Sequence, residues 1–355
     1  MQSLNPSKHR ATTVTAEERR FRWNYIRHLD DVLQRIEDFG DSVYILNDDQ
    51  LASLKIRKAE PLDIEEQSVD MDSRFFSPRF SLEEARNRTD GFIAYHGKDL
   101  EEMCNWPKRC RRGSYVGLGE PTPSHHDPEE RHPLCYPLAD AETRLGWFLE
   151  IMGVTTILPP DTGNKGIWEG SEWSFVFARH LRPNPTSGRA CLPMHDSFGP
   201  RIGNPPYHYA YHVNGLFWIT DPSADLPHIG GTVCDSAEPR EGEVLRSEVV
   251  AAIALLRLQF RITDIRRHRI LPSIVFSFHH DRTGRVTQFR FDGRSLVLRQ
   301  SRLLDFRSDQ PTTDAYHMIR WIANRPMGET KILRPVAEGM AGPEEDREGE
   351  DWLVW

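Results

Sequence analysis

Long hydrophobic runs are missing from this chain of 355 residues. No stretch approaches the roughly 18 consecutive apolar residues of a membrane span. The first residues, Met1 to Glu18, contain no apolar core of a secretory signal. The expectation is a soluble protein that is not secreted and has no membrane partner. Cysteine is scarce and odd in number: Cys104, Cys110, Cys135, Cys191 and Cys234. That argues against a disulfide framework and for reduced thiols in the cytoplasm or nucleus. Lysine is also scarce, 7 residues against 38 arginines. An arginine bias marks phosphate or carboxylate recognition, although a GC-rich coding genome accounts for a bias spread over the whole chain. Several catalytic signatures are absent: there is no Gly-x-Ser-x-Gly elbow, Walker loop, Rossmann fingerprint or His-Glu-x-x-His. Asp161-Thr162-Gly163 matches the aspartic-protease triplet but follows Pro159-Pro160 rather than an apolar strand. Whether the chain is an enzyme is left open by these absences.

What is present argues for an ordered α+β protein. Nine tryptophans and seventeen phenylalanines supply the aromatic surface that disordered chains lack. After a tail over 1–18, a helical N-terminal region spans 19–105. Its first helix carries a Thr15/Glu18 capping box and apolar Phe21, Tyr25, Leu29, Val32, Leu33 and Ile36, and stops at Gly40. A second, short helix is capped by Ser81 with Glu84 and ended by Gly91. Prolines and glycines break every period over 106–137, which reads as an ordered loop or a linker. A central region, 138–235, opens with a helix over 141–152 and continues in strands. Trp173–Phe177 is one of them. Tyr207–Val213 and Leu216–Ile219 flank Asn214-Gly215, a β-hairpin signal because both turn residues tolerate positive φ.

A helix–three-strand–helix module follows over 243–335: a helix at Glu243–Ile265, strands at Ser273–Phe278, Arg285–Phe291 and Leu296–Gln300, and a helix at Thr313–Ala323. Asp292-Gly293 reads as the turn of its second hairpin. From Glu243 to Gln310 thirteen arginines face seven acidic residues, while the whole chain carries −8. The tail 338–355 is acidic through Pro343-Glu344-Glu345-Asp346-Arg347-Glu348-Gly349-Glu350-Asp351, a charge complementary to the basic module, on which the tail is expected to fold back.

Three constellations carry candidate chemistry. Cys104, Cys110, His132 and Cys135 fall close together in a loop-rich stretch, the setting for a structural zinc with three thiolates and one imidazole. Five residues between the first two cysteines is wide for such a site, and scattered thiols are the plain alternative. His-His-Asp occurs at 125–127 and 279–281, each holding a His-x-Asp pair on one strand face. With His180 or His317 as a third ligand these resemble the facial triad of non-haem iron oxygenases, but the second pair sits at a hairpin tip, an ordinary place for polar residues. Finally, the central sheet is rich in histidine and aromatics. Glu172, His195, Asp196 and His208 are its candidate general acid–base residues, and Tyr207, Tyr209, Tyr211 and Val213 form the core-facing side.

The order helix, three strands, helix resembles the double-stranded-RNA-binding domain and the core of PD-(D/E)xK nucleases. The nuclease resemblance implies metal-holding acids, and the candidates Asp281 and Gln288-Phe289-Arg290 place glutamine and arginine where acid and lysine are needed. The RNA-binding family opens its second helix with lysines, where this chain has Asp314, Tyr316, His317 and Arg320. The stretch Leu271–Phe278, then Arg285, then Phe291–Arg299 also resembles a pattern in filamentous-ascomycete (fungal) proteins to which no activity is assigned. That implies a fungal source, and keeps open a tailoring enzyme of specialised metabolism with its pocket in the central sheet. The leading expectation is a non-catalytic binding protein. Its basic module would contact nucleic acid or another anionic partner through Arg266, Arg267, Arg269, Arg285 and Arg290.

Overall fold

The computed structural model describes residues 16–40, 42–65, 75–104, 141, 144–146, 148–149, 173–177, 201–202, 209–219, 224–262, 268–291, 295–308 and 310–331. Its centre is a mixed sheet of nine strands, covered by helices on both faces, so the chain is α+β. In chain order the elements begin with α1 (Ala16–Asp38), β1 (Ile45–Leu46), α2 (Asp48–Ser53), β2 (Ile56–Lys58), β3 (Phe76–Ser77) and α3 (Leu82–Cys104). There follow β4 (Trp173–Phe177), β5 (Arg201–Ile202), β6 (Ala210–Ile219), β7 (Ile229–Asp235), β8 (Val244–Leu245) and α4 (Arg246–Ile262). The chain ends in β9 (Leu271–His279), β10 (Thr283–Phe291), β11 (Leu296–Gln300), β12 (Leu304–Asp305), α5 (Thr313–Ile322) and β13 (Arg325–Pro326). Across the sheet the order is β2-β11-β10-β9-β7-β6-β4, with β12 on β10 and β5 on β6.

The helix–three-strand–helix order is present as α4, β9, β10, β11 and α5, but it is not a body apart. β7 of the central region runs parallel to β9 from Ile229↔Ser273 to Asp235↔His279, and β2 of the N-terminal region runs parallel to β11 from Ile56↔Leu296 to Lys58↔Leu298. One sheet therefore crosses the boundaries read at 105 and 243. Burial on both faces explains why β9 is buried at all nine positions and reads as a near-continuous apolar run. On one face Leu271 and Val275 of β9 and Phe289 and Phe291 of β10 meet α4 and α1. On the other, Ile274, Phe276, Phe278 and Val286 meet α5, the N-terminal half of α3 and the helical residues Ala141, Leu145, Phe148 and Leu149.

Two turn readings are corrected. Asn214-Gly215 is not a hairpin: β6 runs straight through it, paired with β4 on one side and β7 on the other. A register shift between Val213 and Gly215 marks an irregularity, and the Gly215 N–H donates to Thr232 Oγ1 (2.9 Å). Among the described glycines only Gly40, Gly242 and Gly328 have positive φ, so the pair makes no type I′ turn. Gly91 does not end α3 either, which continues to Cys104. Glycine weakens a helix interior by about 1 kcal/mol, and its neighbours outweigh that here. Ser81 Oγ accepts from Glu84 N (3.0 Å), as the capping pattern requires. The β10–β11 hairpin is observed through Phe291↔Leu296, with Asp292-Gly293 outside the described residues.

α1 forms because its apolar residues fall on one arc. Tyr25, Leu29, Val32 and Ile36 are buried, and the Tyr25 ring stands edge-on to Phe291 at 4.5 Å between centroids. Gly40, at φ +79°, ends it. Its opposite arc carries two of the three large exposed apolar side chains among the described residues, Trp23 (56%) and Ile26 (37%).

Candidate functional site

Beneath the first turn of α4 lies a closed polar network. Glu248 and Arg285 are both fully buried. Arg285, projecting from β10, grips the carboxylate with two parallel bonds, Nε to Oε1 (3.0 Å) and Nη2 to Oε2 (2.9 Å). Ser277 Oγ donates to Oε1 (2.7 Å), Gln300 Nε2 to Oε2 (3.1 Å), and the Leu245 N–H to Oε2 (3.3 Å). The last bond caps the helix start, where a negative charge is favoured. One residue earlier, Ser247 donates its hydroxyl to Asp235, which also accepts from Tyr209 Oη (2.8 Å) and Ala237 N (2.7 Å). Burial, with Glu248 as a further unfavourable charge, pushes the Asp235 carboxyl up to about 6, partly offset by its hydrogen bonds.

His279 continues the network towards the surface. Burial, with Arg285 alongside, drives its imidazole well below the ordinary value, so the ring is neutral. The Thr283 hydroxyl donates to Asp281 Oδ1 (2.6 Å), so His279 Nδ1 is the donor to Thr283 Oγ1 (3.0 Å). Nε2 lies 3.1 Å from Ser277 Oγ, whose single hydroxyl proton is already given to Glu248. Asp281 Oδ2 accepts from Arg307 Nη2 (2.8 Å). Every carboxylate in this chain of groups is held by at least two donors, which suits locking α4 to the sheet.

Several described arginines of the C-terminal third are engaged in the same way. Arg302 bridges Glu65 and Asp314 (2.7 and 2.6 Å), Arg307 spans Asp281 and Asp305, and Arg257 pairs with Asp30 (3.2 Å). Buried Arg299 and Arg320 donate to the carbonyls of Glu60 and Phe80. Among the described residues much of the charge of the module is therefore turned inward, onto acids and carbonyls of residues 30–80 and of the module itself, while Arg282 is exposed. One expectation is corrected by this. Arg285 does not contact an anionic partner, because it is buried on Glu248. Arg290 lies half-buried over the Phe75 ring at 5.4 Å. Arg266 and Arg267 lie outside the described residues. Arg269 reaches the rim, with its guanidinium 4.9 Å from the Phe21 ring centroid of α1.

The other candidates are dispersed or unplaced. Glu172, His195, Asp196 and His208 lie outside the described residues, as do Cys110, His132 and Cys135. Cys104 is the last residue of α3. Among the described residues no group of three or more His, Cys, Asp or Glu is placed to hold a metal ion. Asp281 sits in the turn before β10 and Gln288 six residues into that strand, so the nuclease-like pair does not converge. His279 and Asp281 are engaged as described, not exposed at a hairpin tip. His317 is on α5, which packs on the opposite face. Tyr209, Tyr211 and Val213 are core residues as expected. His212 and His228 are held low by burial, at about 4 and about 3. Neutral His228 donates Nε2–H to the Met327 carbonyl (3.0 Å).

Among the described residues a cationic surface faces outward on α1, and it was not read from the sequence. Arg19, Arg20, Trp23, Ile26 and Arg27 are exposed and share one arc of α1 by helical spacing. Arg27 lies over the Trp23 ring, 5.0 Å from its centroid. Arg269, half-buried over Phe21, lies at the flank where α1 packs on the sheet, off the arc of Trp23. Farther along α1 the exposed charges turn acidic at Asp30, Asp31, Glu37 and Asp38, with Arg35 the sole base of the last turn. That order opposes what the helix dipole favours at the C-terminal end, so helix stability does not account for it. The legible sign was a tryptophan among arginines on the polar side of an amphipathic helix.

No helix among the described residues is long and apolar enough to cross a membrane. Comparison of the whole chain with protein-family models, with characterised proteins and with solved structures finds no match, so the fold and the α1 surface stand on their own geometry.

Proposed function

We propose that this protein is a non-catalytic binding protein of the cytoplasm or nucleus that contacts a polyanion, single-stranded nucleic acid, through the face formed by Arg19, Arg20, Trp23 and Arg27. The observation that carries the reading is the exposed Trp23 set among the outward-facing guanidiniums of Arg19, Arg20 and Arg27, with Arg27 lying over its ring. A stacked base uses the aromatic surface without regard to sequence, at about 1–3 kcal/mol per base, and the guanidiniums supply phosphate contacts. Three such contacts predict a slope of log affinity against log salt of about −2 to −3. Fluorescence anisotropy with a labelled oligothymidylate tests this. Trp23→Ala is expected to weaken binding about tenfold or more. Affinity that ignores salt, or that is indifferent to Trp23, overturns the proposal.

A further inference from the structure

The end of the described chain is pinned beside this same face. The Thr330 carbonyl accepts from the backbone N–H groups of Arg269 (2.9 Å) and Ile270 (3.1 Å), and its hydroxyl meets His268 Nδ1 at 2.7 Å. Lys331 pairs with Asp225 (2.6 Å), which also meets His268 Nε2 (3.0 Å). This clasp holds residues 330–331 in place, and the side chain of Arg269 reaches from there onto Phe21. Everything after Lys331 therefore departs from the edge of the α1 surface.

That remaining sequence has the chemistry to occupy it. Residues 343–351 hold six carboxylates and one arginine, and they are followed by Trp352-Leu353-Val354-Trp355. Eleven residues separate Lys331 from Pro343, a tether of at most about 40 Å. The surface from Arg19 to Arg27 is only about 12 Å long at 1.5 Å per residue. Reach is ample, the charges are complementary, and the terminal tryptophans match the exposed Trp23 and Ile26. We infer that the acidic segment Glu344–Asp351 docks on the exposed α1 face of its own chain and competes there with the polyanion. The competition rests on the reading above, whereas the docking does not. A tethered segment acts as an intramolecular ligand at an effective concentration in the millimolar range, so even weak docking masks the face until a polyanion displaces it.

Two measurements on the full-length chain separate the possibilities. First, Arg20→Lys keeps the charge and introduces an amine that a carbodiimide couples to any carboxylate in contact with it. Mass spectrometry of the monomer band is expected to show position 20 joined to the 344–351 segment. The joint should vanish when Glu344, Glu345, Asp346, Glu348, Glu350 and Asp351 are changed together to their amides. Second, that amide variant is expected to bind the oligothymidylate about tenfold more tightly than the parent chain. Absence of the cross-link, or its appearance only between chains, overturns the docking. A cross-link with no oligonucleotide binding by any variant leaves the docking standing and overturns the nucleic-acid reading instead. A cross-link with unchanged oligonucleotide affinity overturns the competition.

Discussion

Two sets of arginines in one molecule are put to opposite uses. Arg285 sits at zero exposure with its fork closed on an equally buried Glu248, and Arg19, Arg20 and Arg27 stand in solvent around a tryptophan. Local sequence does not distinguish them, since each is an arginine near aromatic residues. Position in the fold does. A guanidinium that projects from the centre of a covered sheet must bring its counter-charge with it, because an unpaired buried charge costs several kcal/mol. One on the outer arc of a helix has no such obligation and is available to a partner. Counting charge along the chain therefore identifies the module as basic, and only the packing reveals that much of its described charge is internal.

That contrast can be broken most directly at the buried pair. Arg285→Met or Glu248→Gln alone is expected to lower stability by about 3–5 kcal/mol in urea denaturation, with much of the loss recovered in an Arg285→Met, Glu248→Leu double variant. A single substitution without effect would mean that the pair is not desolvated. An uncharged control is Gly230→Val. A Cβ at Gly230 would come within 1.9 Å of the Phe217 ring, so a loss of about 1–3 kcal/mol is expected from overpacking alone.

Acidification tests the buried titrating groups. His228 and His212 fold neutral with values pushed to about 3 and about 4, so the stability they hold is complete above the unfolded value near 6.5 and is lost as the pH falls towards those values. Asp235, raised to about 6, has the opposite sign: it stabilises on protonation between about 6 and 4. The urea midpoint is expected to fall from pH 7 to pH 5, and more steeply in Asp235→Asn. A midpoint that rises would show that the carboxyl outweighs the two imidazoles.

Smaller effects belong to the surface. Arg302, partly exposed at 41% and shared by Glu65 and Asp314, is expected to cost about 1 kcal/mol or less when changed to alanine. The triple variant Arg19→Gln, Arg20→Gln, Arg27→Gln is expected to shift stability by no more than about 0.5 kcal/mol while abolishing most salt-dependent polyanion binding. Loss of both together would place these arginines in the same structural role as Arg285.

Much of the fold is legible from residue patterns. The apolar arc of α1, the strand Trp173–Phe177, the hairpin joining β10 to β11 and the final helix from Thr313 all follow from periodicity and caps, because each is defined by contacts close in sequence. Asn214-Gly215 misleads for a physical reason. The pair is equally suited to a tight turn or to a strand irregularity, and pairing with both β4 and β7 selects the second. The Glu248–Arg285 bridge joins positions 37 apart, so no local rule couples them. Its only trace is an arginine at an inward position of an otherwise β-favouring strand. The α1 surface is visible as Arg19-Arg20, Trp23 and Arg27, but the pull of the larger arginine count after Glu243 directs attention elsewhere.

The parallel seam between β2 and β11 also governs how the molecule comes into being. Arg299 completes that seam by donating to the Glu60 carbonyl, 239 positions away, and β2 has no other neighbour among the described strands. During synthesis the edge formed by Ile56–Lys58 waits, unpaired, until Leu296–Leu298 have left the ribosome. Contacts of such long range close slowly, and an unpaired strand edge is open to other chains in the meantime. Lys55 precedes this waiting edge and Lys58 closes it, and charge on a strand edge disfavours pairing with other chains.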